Sequence, residues 1–426
     1  MSLKSVVVSN ENQKIKTKWL NINKMKRFFT LIIISFFASS ILAQSIDFNQ
    51  GSIKQKKYLE KIPYQNKDGK LIVPVTINGK TYNFLLDTGA SFTISDELFK
   101  ELNLEIIGNQ ETRDVSGKVM KMRVISLPEL HLQGITFLDT PGYVFHEESP
   151  DITDILKCFG IDGIIGSNML RNSVIQFNLR SKHILISNNF WQIPKNKVVK
   201  SQKMKLSPAQ SSPFIRVAHQ QIGRKRIGNY VLFDTGASDF YTMSMHSYNW
   251  LNSRVDMTKI AESEGSFAWG IHGPAEKQPH LLLIIPELNI NKTIFNDVVA
   301  TTTNTISLMG TKLLQYGKVT LDYKRKFFYF EPFENINTDE LSQRPRAILP
   351  TMQNGKLVVG IIWDKALESQ INLGDEILSI NGINIQTMSV CELFNFDNTS
   401  SNDEELILEL NDIKTGEIKK VEIKRL

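Results

Sequence analysis

The chain of 426 residues holds only two cysteines, Cys158 and Cys391, too few for a disulfide framework or a Cys-rich metal site. Its seven histidines show no HExxH or related ligand spacing, which removes the common zinc hydrolases. No Gly-x-Ser-x-Gly element occurs, so a serine hydrolase built on a nucleophile elbow ranks last. Beyond residue 43 there is no long apolar run. The formal charge of +6 is not a property of the bulk either. Residues 1–43 carry seven basic side chains and one acid, Glu11, and beyond them the two signs balance. A nucleic-acid partner thereby loses its main support. What remains is an ordinary globular composition, 41% hydrophobic and 22% charged, on a chain long enough for about three domains.

The N-terminus reads as an export leader. Met25-Lys26-Arg27 precedes an apolar run over 28–37, then small residues, Ala43 and Gln44. A basic start, a short apolar stretch and a small residue at the cleavage point make 25–43 a signal peptide. The apolar stretch is short for a membrane span; an uncleaved anchor is the other reading. Residues 1–24 fit no targeting pattern, and Met25 is a candidate start. The mature protein is expected outside the cytoplasm, periplasmic or extracellular, with 44–68 a leader or propeptide.

The rest of the sequence repeats itself. Asp87-Thr88-Gly89-Ala90-Ser91 recurs as Asp234-Thr235-Gly236-Ala237-Ser238. Pro128-Glu129-Leu130 recurs as Pro286-Glu287-Leu288. Ile165-Gly166-Ser167 is echoed by Met309-Gly310-Thr311, and the run 174–178 by 319–323. One short match is weak; four in the same order argue for a duplicated domain. Each copy is strand-rich. In the first, runs at 71–77 and 81–86 flank Asn78-Gly79, a hairpin signal. Ser95 or Asp96 then caps a short helix carrying Leu98, Phe99 and Leu102. The stretch 188–206 reads as the connector. The expected units are 69–195 and 206–334, then a polar linker near 334–346 and a third unit over 345–426.

An apolar strand, 85–86, delivers Asp87 to its end, and Gly89 lets backbone come close. One Asp-Thr-Gly is a common turn. Two copies, packed about a two-fold, bring Asp87 and Asp234 together, where two carboxyls share one proton. The ionised one can take a proton from water while the protonated one polarises a carbonyl. Such chemistry needs no metal, cofactor or covalent nucleophile.

At these residues the sequence resembles the aspartic peptidases, with two lobes in one polypeptide as in pepsins, over about 70–332. Ala90 and Ala237 match the retroviral variant of the turn, and Gly166 and Gly310 match the apolar-apolar-Gly element that crosses beneath it. The resemblance implies a mainly β, bilobal acid-protease fold. It makes Asp87 and Asp234 the catalytic pair. Thr88 and Thr235 would bond across to the opposite turn, and Gly89 and Gly236 would admit substrate. Both aspartates come from one polypeptide, so a monomer suffices. Two departures bear on substrate choice. The expected flap, 112–122, lacks the pepsin tyrosine. The second copy also has about eleven extra residues before its Pro-Glu-Leu, including Trp269 to Gly273, a second flap or a specificity loop.

The third unit, through Leu373-Gly374-Asp375-Glu376-Ile377-Leu378-Ser379-Ile380-Asn381-Gly382, resembles a bacterial PDZ domain, an αβ unit that adds a peptide, often the C-terminus of another protein, to a sheet edge. It departs at Ser369-Gln370-Ile371, where a Gly is common. The loop 354–357 is the candidate carboxylate loop, and the polar linker suits a loose tether that recruits protein substrates. The rival class is a peptide-binding scaffold that kept the fold without turnover. Cys158 reads as a buried core thiol, and lone histidines such as His272 as surface or loop residues.

Overall fold

The computed structural model describes residues 46–145, 156–195, 200–220, 222–223, 226–267, 269–270, 272–394, 396 and 404–426. The expected signal peptide and the extension before it lie outside the described residues.

The fold is mainly β. In the strand Lys70–Ile77, Leu71, Val73, Val75 and Ile77 are all buried. Fully burying such a side chain is worth about 2 kcal/mol. Asn78 and Gly79, at φ 49° and 79°, form the two-residue turn into Lys80–Asp87. Positive φ at both positions matches the right-handed twist of the flanking strands, hence the Asn-Gly pair. The helix Asp96–Glu101 starts where expected, with Ser95 Oγ accepting from the Leu98 N–H at 3.0 Å. These strands belong to a nine-stranded sheet, in which Gly163–Gly166 runs parallel to the end of Lys80–Asp87.

The second repeat passes through the corresponding elements in the same order. Pro213–Gln220 and Arg226–Phe233 pair as a hairpin, and Leu308–Met309 runs parallel to the end of the latter. An eight-stranded sheet results. Between the repeats lies a six-stranded antiparallel sheet to which both contribute. At its centre Val174–Phe177 of the first repeat pairs with Gly317–Asp322 of the second, Ile175 opposite Leu321. Gln176 Nε2 donates to Thr320 Oγ1 across this seam at 3.0 Å, satisfying two buried polar groups. Phe233 stands 6.1 Å from both Phe177 and Phe328, so one apolar core runs through both repeats.

The structure builds residues 47–68 into this fold, although the sequence suggests a leader there. Phe48 is buried and stacks on Tyr143 at 4.4 Å, and Leu59–Pro63 is an outer strand of the shared sheet. The reason is pairing: without Leu59–Pro63 the strand His183–Ser187 would present an open edge. The connector is likewise partly sheet, with Ser201–Lys203 forming the opposite edge.

The C-terminal unit is a separate six-stranded sheet in the order Ile348–Gln353, Lys356–Ile362, Glu376–Ile380, Glu405–Asn411, Ile418–Lys424, with Ile383–Asn384 paired to Glu376–Ile380. It has its own core around Ile348, Val359, Ile377, Leu408 and Val421. Asn354 and Gly355, at φ 51° and 74°, are the tight turn of its first hairpin, at the place where the sequence suggests a carboxylate loop.

Two expectations are corrected. The unit is not loosely tethered. Ile361 and Trp363 pack on Leu282 of the second repeat, Ser266 N–H donates to Gly360 O at 3.0 Å, and the linker residue Leu341 is part of the main core. Gly360 permits this approach, since a Cβ there would lie 2.3 Å from Ser266 O. Cys158 is no core thiol: it forms a disulfide with Cys391 in the short helix Val390–Phe394, joining the first repeat to the C-terminal unit. Cys158 and Cys391 are 233 residues apart, so spacing offered no signal.

Candidate active site

Each aspartate stands at the end of an apolar strand, followed by a tight turn. Asp87 Oδ1 accepts from Gly89 N–H at 2.7 Å and from Ala90 N–H at 3.2 Å. Asp234 Oδ1 accepts from Gly236 N–H at 2.8 Å. The turns face each other, and the two carboxyl groups lie close enough to act on one another directly. The glycines make this possible. A Cβ on Gly89 would lie 2.6 Å from Asp234 Cγ, and one on Gly236 would lie 2.3 Å from Asp87 Oδ2. Any side chain at either position would drive the carboxyls apart.

The threonines lock the turns reciprocally. Thr88 Oγ1 donates to Phe233 O at 2.6 Å and accepts from Thr235 N–H at 3.1 Å. Thr235 Oγ1 donates to Leu86 O at 2.7 Å and accepts from Thr88 N–H at 3.0 Å. Both threonines are fully buried, so all four bonds are shielded from water. Behind each turn passes the apolar-apolar-Gly element. Ser167 N–H donates to Ala90 O at 3.0 Å and Thr311 N–H to Ala237 O at 2.9 Å. Gly166 and Gly310 are needed there, because a Cβ would meet the turn backbone at 2.3 Å in both copies.

Asp87 is half-buried and Asp234 buried. Desolvation first, then the neighbouring Asp234 charge and its hydrogen bond, push Asp87 well above the usual carboxylate range. The Gly89 N–H and the Lys70 ammonium work the other way. Behind the turn, Ser167 Oγ donates to Thr88 O at 2.7 Å and stands 2.8 Å from the Tyr323 hydroxyl. Burial pushes that phenol up, so it stays neutral. Among the described residues no cluster of His, Cys, Asp and Glu forms a metal site.

All eight residues singled out in the two Asp-Thr-Gly-Ala stretches meet here. Sequence reasoning missed two residues that grip the turn carbonyls. Lys70 Nζ donates to Gly236 O, and Gln210 Nε2 donates to Gly89 O at 2.6 Å. Both come from segments that precede the duplicated pentapeptides, and being a lysine and a glutamine they leave no repeat signature.

The expected flap is a hairpin of Ile106–Arg113 and Val119–Leu132. The second repeat raises its own hairpin, Thr258–Gly265 with Gln278–Ile290, and its extra residues form a small ribbon of Trp269–Gly270 and Gly273–Pro274. The two tips meet. His272 N–H donates to Asp114 Oδ2 at 2.8 Å, and Thr112 Oγ1 lies 2.8 Å from His272 Nε2. His272 thus lies in the turn of the ribbon, as the loop half of the expectation has it, but is buried and bonded rather than on the surface. Thr305 Oγ1 adds a bond to Val115 O at 3.0 Å.

Residues 73–169 match the model of the family described as aspartyl protease, which supports a peptide-bond hydrolase of the aspartic type. Curated proteins give no match. Among solved structures, the aspartic proteinase from Irpex lacteus is 12% identical at a TM-score of 0.40, covering 65% of this chain and 98% of its own. Basic 7S globulin from soybean is 9% identical at a TM-score of 0.39, covering 67% of this chain and 99% of its own.

Proposed function

We propose that the protein is an exported aspartic endopeptidase acting as a monomer. The observation that carries this reading is the contact between Asp87 and Asp234 inside two reciprocally bonded Thr-Gly turns. A water held between the carboxyls would give its proton to the ionised one as it attacks the scissile carbonyl. The protonated one would donate to the carbonyl oxygen, and the gem-diol would collapse with proton transfer to the leaving amine. The raised pKa of Asp87 favours it as the proton holder in the resting site. The Thr88 and Thr235 network keeps the carboxyls in register without reorganisation during the reaction. The meeting hairpins would serve as two flaps over a bound peptide.

Export is supported by the leader pattern and by the Cys158–Cys391 disulfide, since such bonds persist in oxidising compartments. We assign the C-terminal unit the role of a PDZ-like recruiter of protein substrates. Its strand Ile348–Gln353 stands first in the sheet order, beside Lys356–Ile362, and a peptide such as the C-terminus of a substrate protein would add at a sheet edge of this unit. This recruiter is fixed on the second repeat rather than free on a tether.

The test is cleavage of fluorescein-labelled casein by wild type, Asp87→Asn and Asp234→Asn. Wild type should cleave, and each variant should lose turnover while keeping its thermal transition. Folded wild type without cleavage, or an Asn variant with full turnover, would refute the peptidase reading.

A further inference from the structure

The two catalytic turns are near-copies in sequence and in their threonine bonding, but the groups gripping their glycine carbonyls differ in charge. The Gly89 carbonyl accepts from the neutral Gln210 amide at 2.6 Å, and Ser212 Oγ adds a longer bond at 3.3 Å. The Gly236 carbonyl accepts from the Lys70 ammonium. Lys70 opens the strand Lys70–Ile77, just after the hairpin turn at Asp68 and Gly69. That turn is anchored on the second repeat, where Ser238 Oγ donates to Asp68 O at 2.9 Å. Gly69, at φ 81°, has no room for a side chain, since a Cβ would stand 2.9 Å from Thr311 Oγ1. The ammonium is therefore carried by a strand with a fixed landing point. Gly236, whose carbonyl it holds, abuts the carboxylate of Asp87.

We infer that Lys70 is a positioning residue that breaks the electrostatic symmetry of the aspartate pair and sets the pH range in which one carboxyl is ionised. The inference rests on the peptidase reading for its consequence, though not for its geometry. The charged or titratable groups bearing on Asp87 are Asp234 from the facing turn, Lys70 from the adjacent strand, and the neutral Tyr323 phenol behind Ser167. Lys70 is the cation of that set. It stabilises the ionised carboxyl and offsets part of the desolvation and like-charge repulsion that raise Asp87. Gln210, in the matching place, supplies a hydrogen bond without a charge. Removing the cation should raise both ionisations of the pair, so both limbs of the pH profile should move to higher pH. One charge about 6 Å away corresponds to about two pH units at an effective permittivity of about 20 and about half a unit in bulk water, so a shift of about one unit is expected beside the half-buried Asp87.

The experiment compares wild type, Lys70→Gln and Lys70→Arg in two readouts. One is the pH profile of kcat/KM on fluorescein-labelled casein. The other is titration of the aspartate carboxyls by NMR on 13C-labelled full-length protein, which needs no turnover. K70Q should move both limbs and the pair's titration upward together by about one unit, and K70R should restore them, because a guanidinium replaces the charge. K70M carries the same expectation should K70Q not fold. Superimposable titrations in wild type and the uncharged variants would overturn the inference. So would loss of activity at every pH with the limbs in place, which marks a purely structural role. If wild type fails to cleave, the peptidase reading falls, and the NMR titration still decides the role of Lys70.

Discussion

Thr88→Val tests how much the reciprocal lock contributes. Valine keeps the shape of threonine and removes the hydroxyl. Two buried hydrogen bonds go with it, the donation to Phe233 O at 2.6 Å and the acceptance from Thr235 N–H at 3.1 Å. A carbonyl and an N–H are left behind in a region where Thr88 and Thr235 are fully buried. Each stranded group costs about 1–3 kcal/mol, so the expected loss is about 4 kcal/mol. Thr88→Ser keeps the hydroxyl and loses one methyl, which costs about 1 kcal/mol. The assay is urea unfolding at neutral pH, with both variants compared to wild type at constant m. Turnover on labelled casein is the second readout: Val should lower kcat more than it raises KM, because a loosened turn misplaces the carboxyls rather than the substrate. If Thr88→Val falls within about 1 kcal/mol of wild type, or matches Thr88→Ser, the lock is not the stabilising network described here.

Three other outcomes are expected. Burial pushes the His219 imidazole down to about 4, with the Asn229 side chain working the other way. The folded state thus resists a proton that the unfolded chain binds near 6.5, so stability is lost as pH falls from about 6.5 to 4. This site alone accounts for about 3 kcal/mol, and His219→Phe should flatten that part of a pH series of urea midpoints. Gly236→Ala should abolish turnover, since its Cβ would meet Asp87 Oδ2 at 2.3 Å, and kcat on labelled casein checks it. Cys158→Ser with Cys391→Ser should lower the midpoint of urea unfolding by the equivalent of about 2–4 kcal/mol, and leave wild type and variant with equal mobility on reducing gels but not on non-reducing ones. Retained faster non-reducing mobility in the double variant would exclude the intramolecular bond as its cause.

Much of the site was legible because its chemistry is written twice. A duplicated Asp-Thr-Gly-Ala and a duplicated apolar-apolar-Gly element carry their own register, and Asn78-Gly79 marks a hairpin by a local conformational demand. What remained hidden depends on contacts between segments far apart in the sequence. Lys70 and Gln210 hold the matching glycine carbonyls of the two turns but share neither residue type nor flanking sequence. His272 sits in an inserted ribbon, and nothing local shows that its partners are Thr112 and Asp114. That 44–68 is built into the fold was hidden because an edge strand such as Leu59–Pro63, whose one buried side chain is Ile62, looks like polar linker.

The C-terminal unit illustrates the same limit with a functional consequence. A polar stretch such as 334–346 ordinarily separates domains. Here Leu341 is drawn into the main core, and the Tyr316 hydroxyl bonds to Glu340. Ile361 and Trp363 then cover Leu282. Ser266, held by Gly360, lies between the strand Thr258–Gly265 and the ribbon that reaches the first hairpin. The other attachment, through Cys158, lies beside Phe159 and Ile161. These residues share an apolar cluster with Leu85, near the end of the strand that carries Asp87, and with Ala90 in its turn. A body attached at those two places is mechanically connected to both repeats. A peptide that added to this unit, as proposed, would therefore act on a body already joined to the hairpin of the second repeat and to the apolar surround of Asp87.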